Sequence, residues 1–327
     1  MSEKKIDRRG FLKTSLATSG VAIGLSLEDK ALLAQSEPTP KFKAKGNQKL
    51  PTGIIGDVKI SRILCGGNLV AGYAHSRDLI YVSPLLKHYF TFDKIRETLE
   101  LSEENGVNTV VLNNKKNDNL AVEVIKAHWK NGGKMQWLAQ CNPDLNDQTT
   151  NIKQAVDFGA VGAFIQGGVA DNMIRTGHVD VVKEIVACTK DFGVIAGVGG
   201  HNLRTVTTCE QEGVNADFYM KTFHSTEYWS TRRPGQEKDV IDNYADNYWD
   251  KDPQQTMEFM KTVKRPWIAY KVLAAGALHP HDGLKFAFEG GADFCCVGMF
   301  DFQVVQDVQI ANKILSSKPK RQRPWLA

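Results

Sequence analysis

What this 327-residue chain lacks narrows its reading first. Its six cysteines, Cys65, Cys141, Cys188, Cys209, Cys295 and Cys296, contain no C-x-x-C pair, so a zinc ribbon or dithiol redox motif has no support. Most sit inside apolar runs, where cysteine behaves as a small hydrophobe. No H-E-x-x-H motif is present, and no G-x-G-x-x-G follows an early strand pattern; Gly197-Val-Gly-Gly200 lacks the spacing. The apolar run from Ser15 to Leu27 is too short, and too rich in Gly, Ser and Thr, to span a bilayer. An excess of charge of one sign is missing too. Of the net +4, +2 falls before residue 35 (six Lys/Arg against four Asp/Glu), and the remainder has no basic stripe that would suit nucleic acid. The Lys318-Pro-Lys-Arg-Gln-Arg323 end is expected to be a solvated basic tail over 318–327.

The start of the chain is an address. Asp7-Arg-Arg-Gly-Phe-Leu-Lys13 sets Arg8, Arg9, Phe11, Leu12 and Lys13 in the twin-arginine pattern, with the apolar run behind and small residues near Ala34. Such signals are read by a receptor and do not anchor the product. The expectations are a cleaved signal peptide over 1–34 and passage, already folded, through the twin-arginine translocase. The product would lie in the periplasm or be secreted; no Cys follows the apolar run, so a lipid anchor has no attachment point. Folding before export also removes the usual need for a disulfide framework. Residues 35–53, polar and without period, read as a linker.

From Ile54 onward, short apolar runs alternate with amphipathic stretches. The strand patterns are Arg62–Gly66, Thr109–Leu112, Gln136–Gln140, Gly162–Ile165, Val194–Val198, Phe218–Thr222, Trp267–Leu273 and Phe294–Gly298. Helical patterns between them stop at Gly106, Gly132, Gly159, Gly193, Gly213 and Gly290, while Asp252-Pro253 is a helix start. Eight strands alternating with eight helices call for a parallel sheet, and the missing dinucleotide fingerprint disfavours an open doubly wound one. The expected fold is one (β/α)8 TIM barrel over 54–317.

Barrel sites lie at the C-terminal ends of the strands. Those ends carry Asn68, Asn113, Asn114, Asn142, Asp144, Gln166, His201, Lys221, His224, Lys271 and Asp301. Two connections are longer than needed, Leu69–Thr91 and Ser225–Lys251. They carry Tyr73, His75, Arg77, Asp78, Tyr81 and Tyr89 in the first, and Tyr228, Trp229, Arg232, Arg233, Tyr244, Tyr248 and Trp249 in the second. Aromatic rings mixed with Asn, Asp and Arg suit a polar ring-shaped ligand such as a sugar. Lys221 and Lys271 stand in strand-like apolar runs; if both face one mouth, burial and mutual repulsion lower their pKa and allow Schiff-base chemistry. A salt bridge to carboxylates at the rim is the plainer alternative.

Ala216-Asp-Phe-Tyr-Met-Lys221-Thr and Tyr270-Lys271-Val-Leu-Ala-Ala-Gly276 resemble the two lysine strands of class I aldolases of the deoxyribose-phosphate aldolase type. The resemblance implies Lys221 as Schiff-base nucleophile, Lys271 as its modulator and an acidic residue on an earlier strand, for which Asp144 is the candidate. The family's Ser-Gly-Gly phosphate grip is absent, leaving Gly276 and Gly298 to offer backbone N–H groups to an anion. The mature chain also resembles exported bacterial barrel proteins, which adds no substrate. The resulting expectation is a lyase or isomerase acting on a small carbonyl or carbohydrate-derived substrate. Lys221, Lys271, His201, His224 and Asp144 are its catalytic candidates; Asn68, Asn142, Gln166, Tyr228, Trp229, Gly276 and Gly298 are its binding candidates. No cofactor is required by this reading. The alternatives are a divalent-metal sugar isomerase using His201 and His224, and a non-catalytic sugar-binding barrel. A nicotinamide reductase is a further one, since Ile60-Ser-Arg-Ile-Leu-Cys-Gly-Gly67 is loosely similar to aldo-keto reductases, whose Asp-Tyr-Lys-His set cannot be placed here.

The leader reading has a direct check. Exchanging Arg8 and Arg9 together for lysine is expected to hold the protein in the cytoplasm, seen by cell fractionation; unchanged export of the double variant would refute the signal.

Overall fold

In the computed structural model, residues 50–73, 79–114, 120–231 and 250–327 are described. The expected signal peptide, most of the linker, and His75, Arg77, Asp78, Arg232, Arg233, Tyr244, Tyr248 and Trp249 lie outside them. An antiparallel hairpin, β1 (Thr52–Ile55) and β2 (Val58–Ser61), comes first. Eight parallel strands follow: β3 (Ile63–Gly66), β4 (Thr109–Asn113), β5 (Gln136–Cys141), β6 (Gly162–Ile165), β7 (Ile195–Gly200), β8 (Phe218–Thr222), β9 (Trp267–Tyr270) and β10 (Phe294–Val297). They pair in sequence order, and β10 returns to β3, so the sheet closes into the expected (β/α)8 barrel. Each expected strand is present. The largest difference is at β9, which stops at Tyr270 because Lys271 turns into the left-handed region (φ 59°).

The early helices are α1 (Gly67–Val70), α2 (Val82–Tyr89), α3 (Phe92–Glu104), α4 (Leu120–Lys130), α5 (Thr150–Asp157) and α6 (Gly167–Arg175). The later ones are α7 (Val179–Asp191), α8 (Leu203–Gln211), α9 (Pro253–Met260), α10 (Pro280–Gly290) and α11 (Asp301–Ser316). Their local causes are plain. Thr91 caps α3, accepting from Lys94 N–H, and Ile95, Thr98, Leu99 and Ser102 form its buried stripe. Asp252 caps α9 ahead of Pro253. Gly159 (φ 104°) follows α5, where a residue with a Cβ would be strained. Among the described residues no helix is long and apolar enough to cross a membrane. All six cysteines are free thiols; five are buried and Cys188 is half-buried.

Successive strand residues point to opposite faces. Leu64, Val111, Leu138, Phe164, Phe218, Met220, Ile268 and Cys296 share the core inside the barrel. Cys65, Trp137, Val198, Tyr219, Trp267 and Ala269 belong to the core between strands and helices. Ile55 and Ile60 of the hairpin join the inner core, so β1 and β2 plug the end where the strands begin.

The chain end seals that same side, which corrects the expectation of a solvated basic tail. Asp293, immediately before β10 and fully buried, accepts from Arg323 Nη1 (2.8 Å), Leu326 N–H (2.8 Å) and Trp267 N–H (2.9 Å). Arg321 Nη2 lies 3.7 Å from the same carboxylate. Arg323 also donates to the carbonyls of Val263 and Arg265, and Arg62 to those of Asp293 and Ala327. These arginines satisfy buried and half-buried backbone carbonyls at the strand starts.

Deleting residues 321–327 takes from Asp293 both arginines of the chain end and the Leu326 N–H. Loss of one side of such a pair costs about 3–5 kcal/mol. Urea unfolding of the truncated chain is expected to show a drop of that order; parent-like stability would mean that the tail is dispensable.

Candidate active site

At the C-terminal end of the barrel the inward side of β8 and β9 continues from Met220 and Ile268 to Thr222 and Tyr270. These two are direct partners across the β8–β9 ladder. On β7 the inward residue Ile195 leads, by alternation, through Gly197 and Gly199 to His201. The His201 and Tyr270 rings lie 5.5 Å apart between centroids. A Cβ at residue 167 would collide with Tyr270 Oη and lie 2.8 Å from His201 Cε1. Gly167, the first residue of α6, therefore has to be glycine for the two rings to sit where they do.

The third member comes from the second turn of α6. Asp171 Oδ2 accepts both His201 N–H and His201 Nδ1–H at 2.9 Å. Its Oδ1 accepts Thr205 Oγ1–H at 2.5 Å and Asn202 N–H at 3.3 Å. Burial alone would raise this carboxyl, but the hydrogen bonds and charge of His201, with Thr205, hold it below the ordinary aspartate value of 3.8. An ionised Asp171 fixes the ring orientation and the tautomer, with the proton on Nδ1 and the lone pair on Nε2.

Burial pushes the Tyr270 phenol well above 10, and the negative charge of Asp171 adds to this. The Thr222 hydroxyl works the other way, although the two groups do not align as a hydrogen bond. Tyr270 thus stays protonated near neutrality. Among the described residues neither Tyr270 Oη nor Thr222 Oγ1, both buried, has a hydrogen-bond partner. The group offers an oriented imidazole as base and a phenol as proton or hydrogen-bond donor, a few ångströms from one another.

Of the catalytic candidates read from the sequence, only His201 stands in this group. Lys221 alternates with Met220 and Thr222, so its side chain leaves β8 on the outer side, with Tyr219 and Phe223. It is fully buried and donates to Thr222 O (2.6 Å), with Asp250 Oδ1 at 3.5 Å. The expectation that both lysines face one mouth is corrected for Lys221; the buried ion pair takes its place. Lys271 is half-buried beyond the end of β9, its Nζ 6.0 Å from the centre of the Tyr270 ring. His224 is fully buried, donates from Nδ1 to Ser225 O (2.8 Å) and accepts Asp250 N–H at Nε2 (2.7 Å). Both of its nitrogens are engaged, which leaves no lone pair for a metal. Among the described residues no group of three or more His, Cys, Asp or Glu is placed to hold a metal ion.

Asp144 is exposed and closes its own turn by accepting Asn146 N–H and Asp147 N–H. Of the binding candidates, Asn142 donates to Asn113 Oδ1 (2.7 Å), and Gln166 caps α6 by accepting Val169 N–H (2.9 Å). Asn68 belongs to α1. The Gly276 N–H is used on Leu273 O (2.9 Å), so it does not serve an anion, and Gly298 packs against Leu69. The Tyr228 ring is 5.8 Å from His224, and Trp229 is 71% exposed. Asp301, at the rim, is held by Tyr89 and Lys94. The sequence reading did not single out Tyr270, Thr222, Asp171 or Gly167. Strand alternation could have found the first two, since each is one residue from a chosen lysine.

No protein-family model matches the chain, and no curated protein matches its sequence. Among solved structures it is similar to a candidate aldo-keto reductase from Pseudomonas aeruginosa, with TM-score 0.57 and 13% identity over 84% of this chain and 100% of that one. It is also similar to an aldo-keto reductase from Bacillus halodurans in its holo form, with TM-score 0.52 and 13% identity over 83% and 97%. A glycerol dehydrogenase from Gluconobacter oxydans gives TM-score 0.50 and 11% identity over 83% and 96%. At these identities the likeness is one of fold.

The placement of Lys221 makes a prediction. Lys221→Ala leaves Asp250 buried without its cation, at a cost of about 3–5 kcal/mol. Denaturant unfolding of the variant checks it; a variant as stable as the parent would return Lys221 to the list of functional residues.

Proposed function

We propose that this barrel is an enzyme that moves a proton at the carbonyl of a small polar substrate, with His201 as base and Tyr270 as donor to the carbonyl oxygen. The observation that carries the reading is the Asp171–His201 pair beside a buried, protonated Tyr270 on the inner side of the strand ends. His201 Nε2 takes a proton from the carbon next to the carbonyl. The C–H electron pair becomes a carbon–carbon double bond, the carbonyl π electrons pass to oxygen, and Tyr270 Oη–H stabilises that oxygen. Returning the proton to a different atom yields the isomer. Asp171 holds the imidazole and stabilises its protonated form, as an orienting carboxylate does in other acid–base sites. Isomerase chemistry of this kind keeps the expected substrate class, a small carbonyl or carbohydrate-derived compound, without the Lys221 Schiff base.

A second reading, carbonyl reduction, is favoured by the fold shared with aldo-keto reductases. The residues do not fit that family's Asp-Tyr-Lys-His set: β5, the third barrel strand, ends in Gln140-Cys141-Asn142 with no lysine. The leader pattern at Arg8 and Arg9 also supports a site of action outside the cytoplasm, where a diffusible nicotinamide is scarce.

The test is incubation of the protein in D2O with a panel of keto sugars, aldoses and oxo-acids, reading deuterium at the carbon next to the carbonyl by mass spectrometry. At least one compound is expected to exchange. Tyr270→Phe and His201→Asn should each slow exchange about 100-fold or more, with an unchanged unfolding midpoint. No exchange across the panel, or full exchange in Tyr270→Phe, defeats the reading; oxidation of NADPH by a panel member would establish the reductase instead.

A further inference from the structure

We propose that the N-terminus of α6 is an anion seat beside Tyr270, and that the compound handled here is a small oxo- or hydroxy-acid whose carboxylate rests in it. The choice of substrate class rests on the acid–base reading above; the seat itself does not.

The first N–H groups of a helix have no acceptor within it and carry its positive end. In α6, Gln166 caps only Val169 N–H with its side chain, and Gln166 O takes Ala170 N–H. The first two positions are Gly167 and Gly168, which have no side chain to cover their amides, and the first turn contains no acidic residue. Asp171, one turn on, does not fill the place, because its two oxygens are taken up by His201, Asn202 and Thr205. A glycine-bordered helix start of this kind accepts carboxylate or phosphate readily.

The second, independent observation is the pair of buried hydroxyls at the same spot. Tyr270 Oη stands directly over Gly167, close enough to exclude a Cβ there. Thr222, fully buried, is its ladder partner, and neither hydroxyl has a hydrogen-bond partner among the described residues. A buried polar group left unpaired is a standing cost. The Tyr270 hydroxyl, buried against a helix start at the barrel mouth without an aligned partner, marks where a ligand oxygen belongs. A carboxylate on the Gly167 and Gly168 amides brings the adjoining carbonyl of an oxo-acid up to Tyr270 and its neighbouring carbon to His201.

Isothermal titration of the folded chain with pyruvate and with pyruvamide, its neutral amide, tests the seat. Pyruvate is expected to bind about tenfold more tightly or better, the difference of one charge-assisted hydrogen bond. Gly168→Asp sets a tethered carboxylate at the same helix end and should weaken pyruvate by about tenfold at an unchanged unfolding midpoint. Should that variant not fold, Tyr270→Phe should weaken pyruvate by about tenfold at an unchanged unfolding midpoint. Equal affinity for the two compounds, no binding of either, or indifference of pyruvate to the folded variants overturns the seat. The two proposals fail separately. Tight pyruvate binding without deuterium exchange keeps the seat and removes the acid–base reading; exchange confined to neutral sugars does the reverse.

Discussion

Closing eight parallel strands into a barrel makes parity the constraint on which everything else depends. Within each strand, every second residue belongs to the interior and every other one to the helix-covered face. The ladder of β8 against β9 sets Thr222 opposite Tyr270 and Lys221 opposite Ala269. Slipping either strand by one residue would exchange the two sets, sending both hydroxyls out under the helices and the Lys221 ammonium into the barrel. The inner core of Phe218, Met220 and Ile268 forbids that slip, since it would bury Tyr219 and Trp267 in a space already filled.

The two ends of the barrel solve opposite problems. Where the strands begin, one carboxylate is fully buried, and arginines from the chain end and the hairpin side bind it and the carbonyls around it. The Asp293 carboxylate is fully engaged there, by Arg323 and by the N–H groups of Trp267 and Leu326. Where the strands end, the polar groups are partly unmatched: Tyr270 and Thr222 retain donors that find no acceptor among the described residues. A buried, arginine-paired carboxylate closes one end, and two buried hydroxyls without an aligned partner stand at the other.

The sequence was legible where the signal is periodic and local. All eight strands could be placed, because each is a short apolar run followed by an amphipathic stretch, and six of those stretches stop at a glycine. Their faces were not legible to the same degree. Lys221 and Lys271 stand out in the sequence as charges in apolar runs, yet the informative positions are their neighbours Thr222 and Tyr270, residues ordinary in any strand. The tail is hard to place from sequence for a related reason: Arg321 and Arg323 have the composition of solvated charges, and only the fold sets the buried Asp293, some thirty residues earlier, beside them. Asp171 was missed because α6 was missed. Its nine residues begin Gly-Gly, a poor helix former, and its cap is a glutamine side chain rather than the usual Ser, Thr, Asp or Asn.

That weak start is better understood as a consequence of the site than as a flaw in the helix. Gly167 is imposed by the rings of Tyr270 and His201, which leave no room for a Cβ, and the helix gives up propensity to admit them. In return α6 contributes Asp171, whose carboxylate reaches across to the backbone and ring of His201 and to the hydroxyl of Thr205 at the start of α8. One carboxylate thereby ties α6, the end of β7 and α8 into a unit, and the imidazole is oriented by the same bonds that hold the elements together. Removing Asp171 would not delete a proton carrier. It would release the ring, the tautomer and the helix start at once, which is why an aspartate never suspected from the sequence governs the geometry of a histidine that was.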